Sequence, residues 1–270
     1  MKKKLVCAVF PLFAYIASSA QQENKNGSIE LTFGASIPIS QYADGETGRH
    51  ISGFTKTGQA LTISYYHPTK KKVGFMATFL GQWNPLNTGA LEDRYSNSPF
   101  YSLIFAPGPS PNPNPPPAVY YKNWEFDKES WFTVSLMAGA YTSLPMNKGG
   151  NLSFTMKAAI GAAYASCPQY KGISDSDTAT VRILQEKNDA FGFSYSFTPG
   201  LMYKINPGIH INFNVSYFGT AAMSFDNMKT SGRIESGDVL TGTISTWMFT
   251  SDVDQSIQTI NLALGIRFDL

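Results

Sequence analysis

Between Asn261 and Leu270 the sequence reads NLALGIRFDL, with Leu262, Leu264, Ile266, Phe268 and Leu270 alternating without a break with Asn261, Ala263, Gly265, Arg267 and Asp269. A period of two sends successive side chains to opposite faces of a β-strand, here one face large and apolar and the other small or polar. Seven further segments alternate in the same way, at about 28–39, 58–67, 72–84, 131–144, 151–165, 191–205 and 208–220; with 256–270 they predict eight strands. Beyond residue 20 no apolar run approaches the ~18 residues a membrane helix requires. A chain of this kind crosses a bilayer only as a closed barrel, in which every strand finds backbone partners on both sides.

The links between these segments alternate in length. Links at 40–57, 85–130, 166–190 and 221–255 are long, whereas those at His67 to Lys71, Pro145 to Gly150 and Asn206-Pro207 are short and rich in turn residues. With an even number of strands, both ends of the barrel chain fall on the short-turn side, the arrangement of a transmembrane barrel with long loops outside the cell. The two faces agree. One collects Ile29, Leu31, Phe33, Phe75, Phe79, Phe154, Phe193, Leu201, Ile211 and Phe213; the other collects Thr32, Ser36, Thr78, Ser135, Thr155, Ser194, Ser196, Thr198, Asn212, Asn214, Ser216 and Ala263. A strand face turned to water normally carries Lys and Glu, and these are nearly missing from the small set. The pattern therefore predicts a narrow interior lined by short side chains and an apolar exterior in lipid.

Composition points the same way. Charged residues make up 15% of the chain, against roughly 25% in an ordinary soluble domain, and aromatics reach 14%. Strand direction places Trp83, Trp131, Phe132, Tyr164, Phe191 and Tyr217 near the long-loop end and Tyr65, Phe75, Tyr203 and Phe268 near the short-turn end, as two interfacial girdles. Residues 1–20, MKKKLVCAVFPLFAYIASSA, read as a secretory signal: Lys2 to Lys4, then an apolar run of 13 from Leu5 to Ala17, then Ser18-Ser19-Ala20 before Gln21. The expected domain plan is thus a signal peptide over 1–20 and a barrel domain over 21–270. Removal of the signal lowers Lys plus Arg from 21 to 18 against 19 acids, a net charge of about −1. No basic surplus remains to attract nucleic acid. Cys167 is then the single cysteine, and no internal disulfide is expected.

With the signal segment, the alternating strands, the long and short links, and a final strand holding Phe268 and Leu270, the chain resembles the small eight-stranded outer-membrane barrels of Gram-negative bacteria, the OmpA/OmpX/OmpW-like group. GFTKTGQALTISYYHP (53–68) and INLALGIRFDL (260–270) are similar to the outer membrane protein beta-barrel domain family. The resemblance spans residues 21–270 and is one of pattern. It implies an all-β, eight-stranded, antiparallel, up-and-down barrel in the outer membrane, and it implies that the barrel-assembly machinery reads the last strand through Phe268 and Leu270.

Charges inside strands are the exceptions worth following. Glu30, Lys157, Lys204, Arg267 and Asp269 all fall on the small polar face, with His210 inward near the short turns. First and last strands are neighbours in a closed barrel, so Glu30 and Arg267 are expected to pair across the seam, with Lys157 joining from the opposite wall. Such a network fills the lumen; the competing reading is a gate or a proton path. An eight-stranded barrel has interior enough for side chains and little more, which favours filling. His50, His67 and His210 do not cluster, so no metal site is indicated. Ser194 and Ser216 share an interior with His210, but no nucleophile, base and acid stand at a catalytic spacing, and no catalytic residue or cofactor is assigned.

The long links carry their own marks. PGPSPNPNPPP (107–117) favours extended polyproline II and reads as a stiff spacer. Its flanks, YSLIFA (101–106) and AVYYKNWEF (118–126), read as a hairpin above the membrane, with two extra wall strands as the alternative. Asp175 and Asp177 lie in SDSDT without the later acceptor a calcium loop supplies. Lys70, Lys71, Lys72 and Lys148 on the short turns suit anionic headgroups. The reading is a non-enzymatic outer-membrane barrel that binds or interacts through its loops. Its expected partners are outer-membrane lipid, lipopolysaccharide, the barrel-assembly machinery and an extracellular ligand of unspecified kind. The alternatives are a narrow channel or small-molecule transport barrel, and an outer-membrane lipid-modifying enzyme or protease.

Overall fold

The structure, a computed structural model, describes residues 27–43, 53–69, 73–97, 123–175, 179–236 and 244–270. Eight strands close into one antiparallel barrel: β1 (Ser28–Pro38), β2 (Gly58–His67), β3 (Val73–Pro85), β5 (Ser130–Pro145), β6 (Leu152–Cys167), β9 (Asn188–Asn206), β10 (Ile209–Thr220) and β13 (Gln258–Asp269). Around the wall they run β1, β13, β10, β9, β6, β5, β3, β2. All eight segments that alternate in sequence are wall strands. The seam is made by β1 and β13, in register from Ser28 opposite Asp269 to Pro38 opposite Thr259. The predicted signal segment, His50, Lys70 to Lys72, the proline-rich stretch and Asp177 lie outside the described residues.

Register turns the alternation into a belt. Leu61, Phe33, Leu264, Phe213, Leu201, Phe154 and Leu144 stand opposite one another in sequence around seven strands. Phe33, Leu201, Phe213, Leu264 and Leu144 are all exposed. A continuous apolar ring on a soluble protein would exceed any ordinary surface patch; in hydrocarbon it is the stable outer surface. The apolar belt makes the strands the spanning elements, and among the described residues no helix is long and apolar enough to cross a membrane. The ring pairs Trp83–Phe132 and Tyr164–Phe191, with centroids 5.4 and 4.9 Å apart, sit at the long-loop rim. Trp131 departs from the predicted girdle. It faces inward, buried, and its indole donates to the Gly53 carbonyl at 2.9 Å, because β5 places Phe132 outside and its neighbour therefore inside.

The short turns follow their chemistry. Between β5 and β6 the Gly150 amide donates to the Asn147 carbonyl at 3.1 Å, and Gly150 holds φ at +67°. Gly208 closes the β9–β10 turn at φ +94°. Both values suit glycine and strain other residues.

The long links are not plain loops, and here the sequence reading is corrected. Five more strands, β4 (Trp124–Phe126), β7 (Tyr170–Asp175), β8 (Ala179–Gln185), β11 (Met223–Ser236) and β12 (Ile244–Gln255), form a separate sheet in the order β12, β11, β8, β7, β4. That order copies the wall, where β13, β10, β9, β6 and β5 stand side by side. Each cap strand continues a wall strand across a break of two or three residues, such as Pro168-Gln169 between β6 and β7 or Ala221-Ala222 between β10 and β11. Five of the eight wall strands thus continue past the rim as a second sheet. The flank 118–126, predicted as one arm of a hairpin, contributes β4 to this sheet; residues 101–122 lie outside the described residues.

The inner face of the cap sheet packs over the lumen mouth. Phe225 meets inward-facing Trp131 edge-on at 5.6 Å, and Trp131 meets Tyr42 in the same way at 5.6 Å. Helix α1 (Thr88–Asn97) adds Leu91 and Tyr95 from the side, its first turn closed by the Asn87 carboxamide. Tyr95 packs on Trp124 and Phe126, each with centroids 5.2 Å apart. Cys167 lies under this layer, 2% exposed, and receives the Gln185 amide at 3.5 Å. The folded protein is therefore expected to resist maleimide at this thiol and to label after heat denaturation; rapid labelling of the folded form would contradict the packing of the cap on the barrel.

Candidate functional site: a sealed lumen and a cationic groove

The centre of the barrel is crossed by one ion pair. Glu30 on β1 and Lys157 on β6 face each other from strands four places apart in the ring of eight, that is, from opposite walls. Their Oε1 and Nζ atoms are 2.6 Å apart, and both side chains are almost fully buried. Asn214 on β10 completes the group: its amide donates to Glu30 Oε1 at 3.0 Å, and its carbonyl oxygen accepts from Lys157 at 3.5 Å. A charge taken out of water in this way must be paired and hydrogen-bonded to persist, and here both groups are.

Tyrosines fill the space beside the pair, and the alternation did not single them out. Tyr66 on β2 is fully buried, with Lys157 Nζ 5.2 Å from its ring centre and the Arg267 guanidinium 4.7 Å from it. Tyr141 on β5 meets Tyr66 edge-on at 4.8 Å and also receives Arg267, at 5.5 Å. Two cations held against one ring gain attraction from its quadrupole. This corrects the predicted seam pair. Arg267 is directly opposite Glu30 in the register, yet its guanidinium goes to the two rings and to Asp269 at 3.8 Å, leaving the carboxylate to Lys157. His210 Nε2 lies 3.0 Å from Asp269 Oδ2 near the short turns. Lys204 is exposed at that rim and stands apart from the Glu30–Lys157 pair.

Above the ion pair the polar lining bonds to itself. Gln82 reaches Thr259 and Asn261, each at 2.8 Å, and Ser135 meets Ser194 at 2.7 Å. The void left around the pair is about 40 Å³, room for a water or two. Ser216 bonds to Thr198 at 2.6 Å and stands six residues along β10 from His210, about 20 Å at the usual rise. Serine and histidine therefore do not meet. Among the described residues no group of histidine, cysteine and acid side chains could hold a metal ion. Phe268 and Leu270 point outward and are exposed at the end of β13.

A second feature lies on the cap sheet. The face turned away from the lumen presents two registered rows, Ile173–Arg182–Arg233–Thr246 and Lys171–Leu184–Ser231–Met248, each crossing β7, β8, β11 and β12. They line an open cavity of about 660 Å³. Glu235 binds Arg233 Nε at 2.8 Å and stands 3.8 Å from Arg182. On the opposite face Gly172 and Gly232 lie beneath the rings of Phe126 and Trp247, which lets those rings pack flat. None of these residues was assigned in the sequence, although ATVRILQ and ISTWMFT carry the β-branched alternation that signals strands.

Closure, continuous register and the apolar belt define the class: an eight-stranded antiparallel barrel of the outer-membrane type, its described residues free of any spanning helix. No protein-family model matches the chain, and no curated protein does. Solved structures with a similar fold include a major outer membrane protein from Thermus thermophilus, at 9% identity and TM-score 0.40 over 92% of this chain and all of that one. Ail, the attachment invasion locus protein of Yersinia pestis, matches at 13% identity and TM-score 0.38 over 91% of this chain and all of that one. Neisserial surface protein A matches at 9% identity and TM-score 0.39, covering 91% and 97% of the two chains.

Proposed function

We propose that the protein is a non-enzymatic outer-membrane barrel, exported by its signal segment, that binds partners on the cell surface through the cap sheet and does not conduct solutes. One contrast carries this reading. The lumen is crossed by the Glu30–Lys157 pair with about 40 Å³ left around it, whereas the cap sheet holds an open cavity of about 660 Å³. Binding cavities of small ligands fall in the size range of the second and far above the first. The barrel then serves as a rigid post that fixes the sheet at the membrane surface. Contact of the outer face with lipid and lipopolysaccharide, and recognition of Phe268 and Leu270 during assembly, belong to the same reading.

Purified protein added to planar lipid bilayers is expected to give no steady openings at moderate voltage. Clear, stable conductance steps would overturn the proposal and favour the channel.

A further inference from the structure

Arg182 and Arg233 pose an electrostatic question that the fold alone leaves open. They stand directly opposite each other on antiparallel β8 and β11, a position in which like charges destabilise the sheet. One carboxylate, Glu235, serves both, and it is not among the residues lining the cavity. Lys171 adds a third cation two residues along the same face from Ile173, and it does line the cavity. The groove lining therefore holds three cations against the single carboxylate of Glu235 at its edge, a surplus of positive charge.

Its remaining surface is apolar. Met248 is 69% exposed and Ile173 42% exposed, an unfavourable display for two large side chains that touch water. The aliphatic stems of the arginines extend that surface. Two guanidinium forks side by side match the oxygens of a phosphate with parallel, charge-assisted hydrogen bonds, while an adaptable methionine beside an isoleucine suits a flat or irregular hydrocarbon body.

We propose that this groove binds an amphiphilic phosphate monoester, its phosphate between Arg182 and Arg233 and its apolar body along Ile173 and Met248. The inference rests on the reading of the cap sheet as the binding surface and names its ligand class. The ligand comes from the external medium and not from the surrounding bilayer. Phe191 marks the rim of the lipid-facing wall, and Arg182 lies nine residues before it along the β8–β9 strand path, a contour of about 30 Å.

The test uses the full barrel in phosphatidylcholine nanodiscs with 1-naphthyl phosphate as probe, followed by fluorescence anisotropy. Saturable binding is expected, weakened at least tenfold in the Arg182→Gln/Arg233→Gln double variant, with 1-naphthol and inorganic phosphate each at least tenfold weaker than the ester. A heat-modifiable gel shift verifies that the variant is folded. Absence of saturable binding, equal binding of 1-naphthol, or an unchanged affinity in the double variant would overturn the proposal. Competition from phosphatidylglycerol placed in the disc would overturn the external source by assigning the site to a lipid headgroup. Bilayer recordings on the same preparation separate the two readings: silent bilayers without probe binding remove only the ligand class, whereas steady openings remove the binding-post reading itself.

Discussion

Arginine in place of Leu264 is expected to cost the inserted barrel roughly 2 to 4 kcal/mol, the range for a cation on the lipid face near mid-bilayer. Leu264 is 64% exposed and sits in the apolar belt between Phe33 and Phe213. Its predecessor Ala263 points into the lumen and is buried, so Ala263→Ser exchanges one small inward group for another and should fold nearly as well as the parent. Urea titration of barrels folded into vesicles measures both. Equal tolerance of the two substitutions would mean that the faces are assigned the wrong way round, since only orientation separates adjacent residues of one strand.

Lys157→Ala is expected to have a comparable or larger effect from the other side of the wall. Removal of the ammonium leaves Glu30 buried with only the Asn214 amide as partner, and breaking a buried pair by deleting one member costs about 3 to 5 kcal/mol. The double variant Glu30→Gln/Lys157→Met carries no charge and should recover most of that loss. A double-mutant cycle read by the same urea titration isolates the pairwise part. If the single and double variants lose equal stability, the pair does not hold the walls together and the lumen is more hydrated than its 40 Å³ void implies.

The wall was legible because each strand separates lipid from lumen, and that partition writes itself into a period of two. The belt through Phe33, Leu264 and Phe213 is visible as alternation in three distant segments before any register is known. The cap sheet was harder to see. Both of its faces carry mixed chemistry, with Arg182 and Leu184 on one and Ile183 and Gln185 on the other, and the β11–β12 register shifts between Phe225 and Met228, where Asn227 adopts φ +54°. An irregularity of that kind breaks the alternation on which strand recognition depends.

At the candidate sites the sequence supplied members and not partners. Glu30, Lys157 and Arg267 were placed inside by parity, but which carboxylate meets which cation is decided by Tyr66 and Tyr141, whose rings claim the guanidinium. Parity places Tyr66 on the inward face with Ser64, yet it does not say which cation the ring will hold. The groove depended on a still longer-range fact, the meeting of β8 with β11 across 51 residues of sequence from Arg182 to Arg233.

The continuation of five wall strands into the cap sheet has a consequence for how this architecture tolerates change. Because each hairpin above the rim inherits its neighbours from the wall below, residues can be added or removed there in matched pairs, one on each arm, without disturbing closure of the cylinder. The portion above the rim is thus free to lengthen, shorten or acquire new side chains while the buried portion keeps its dimensions.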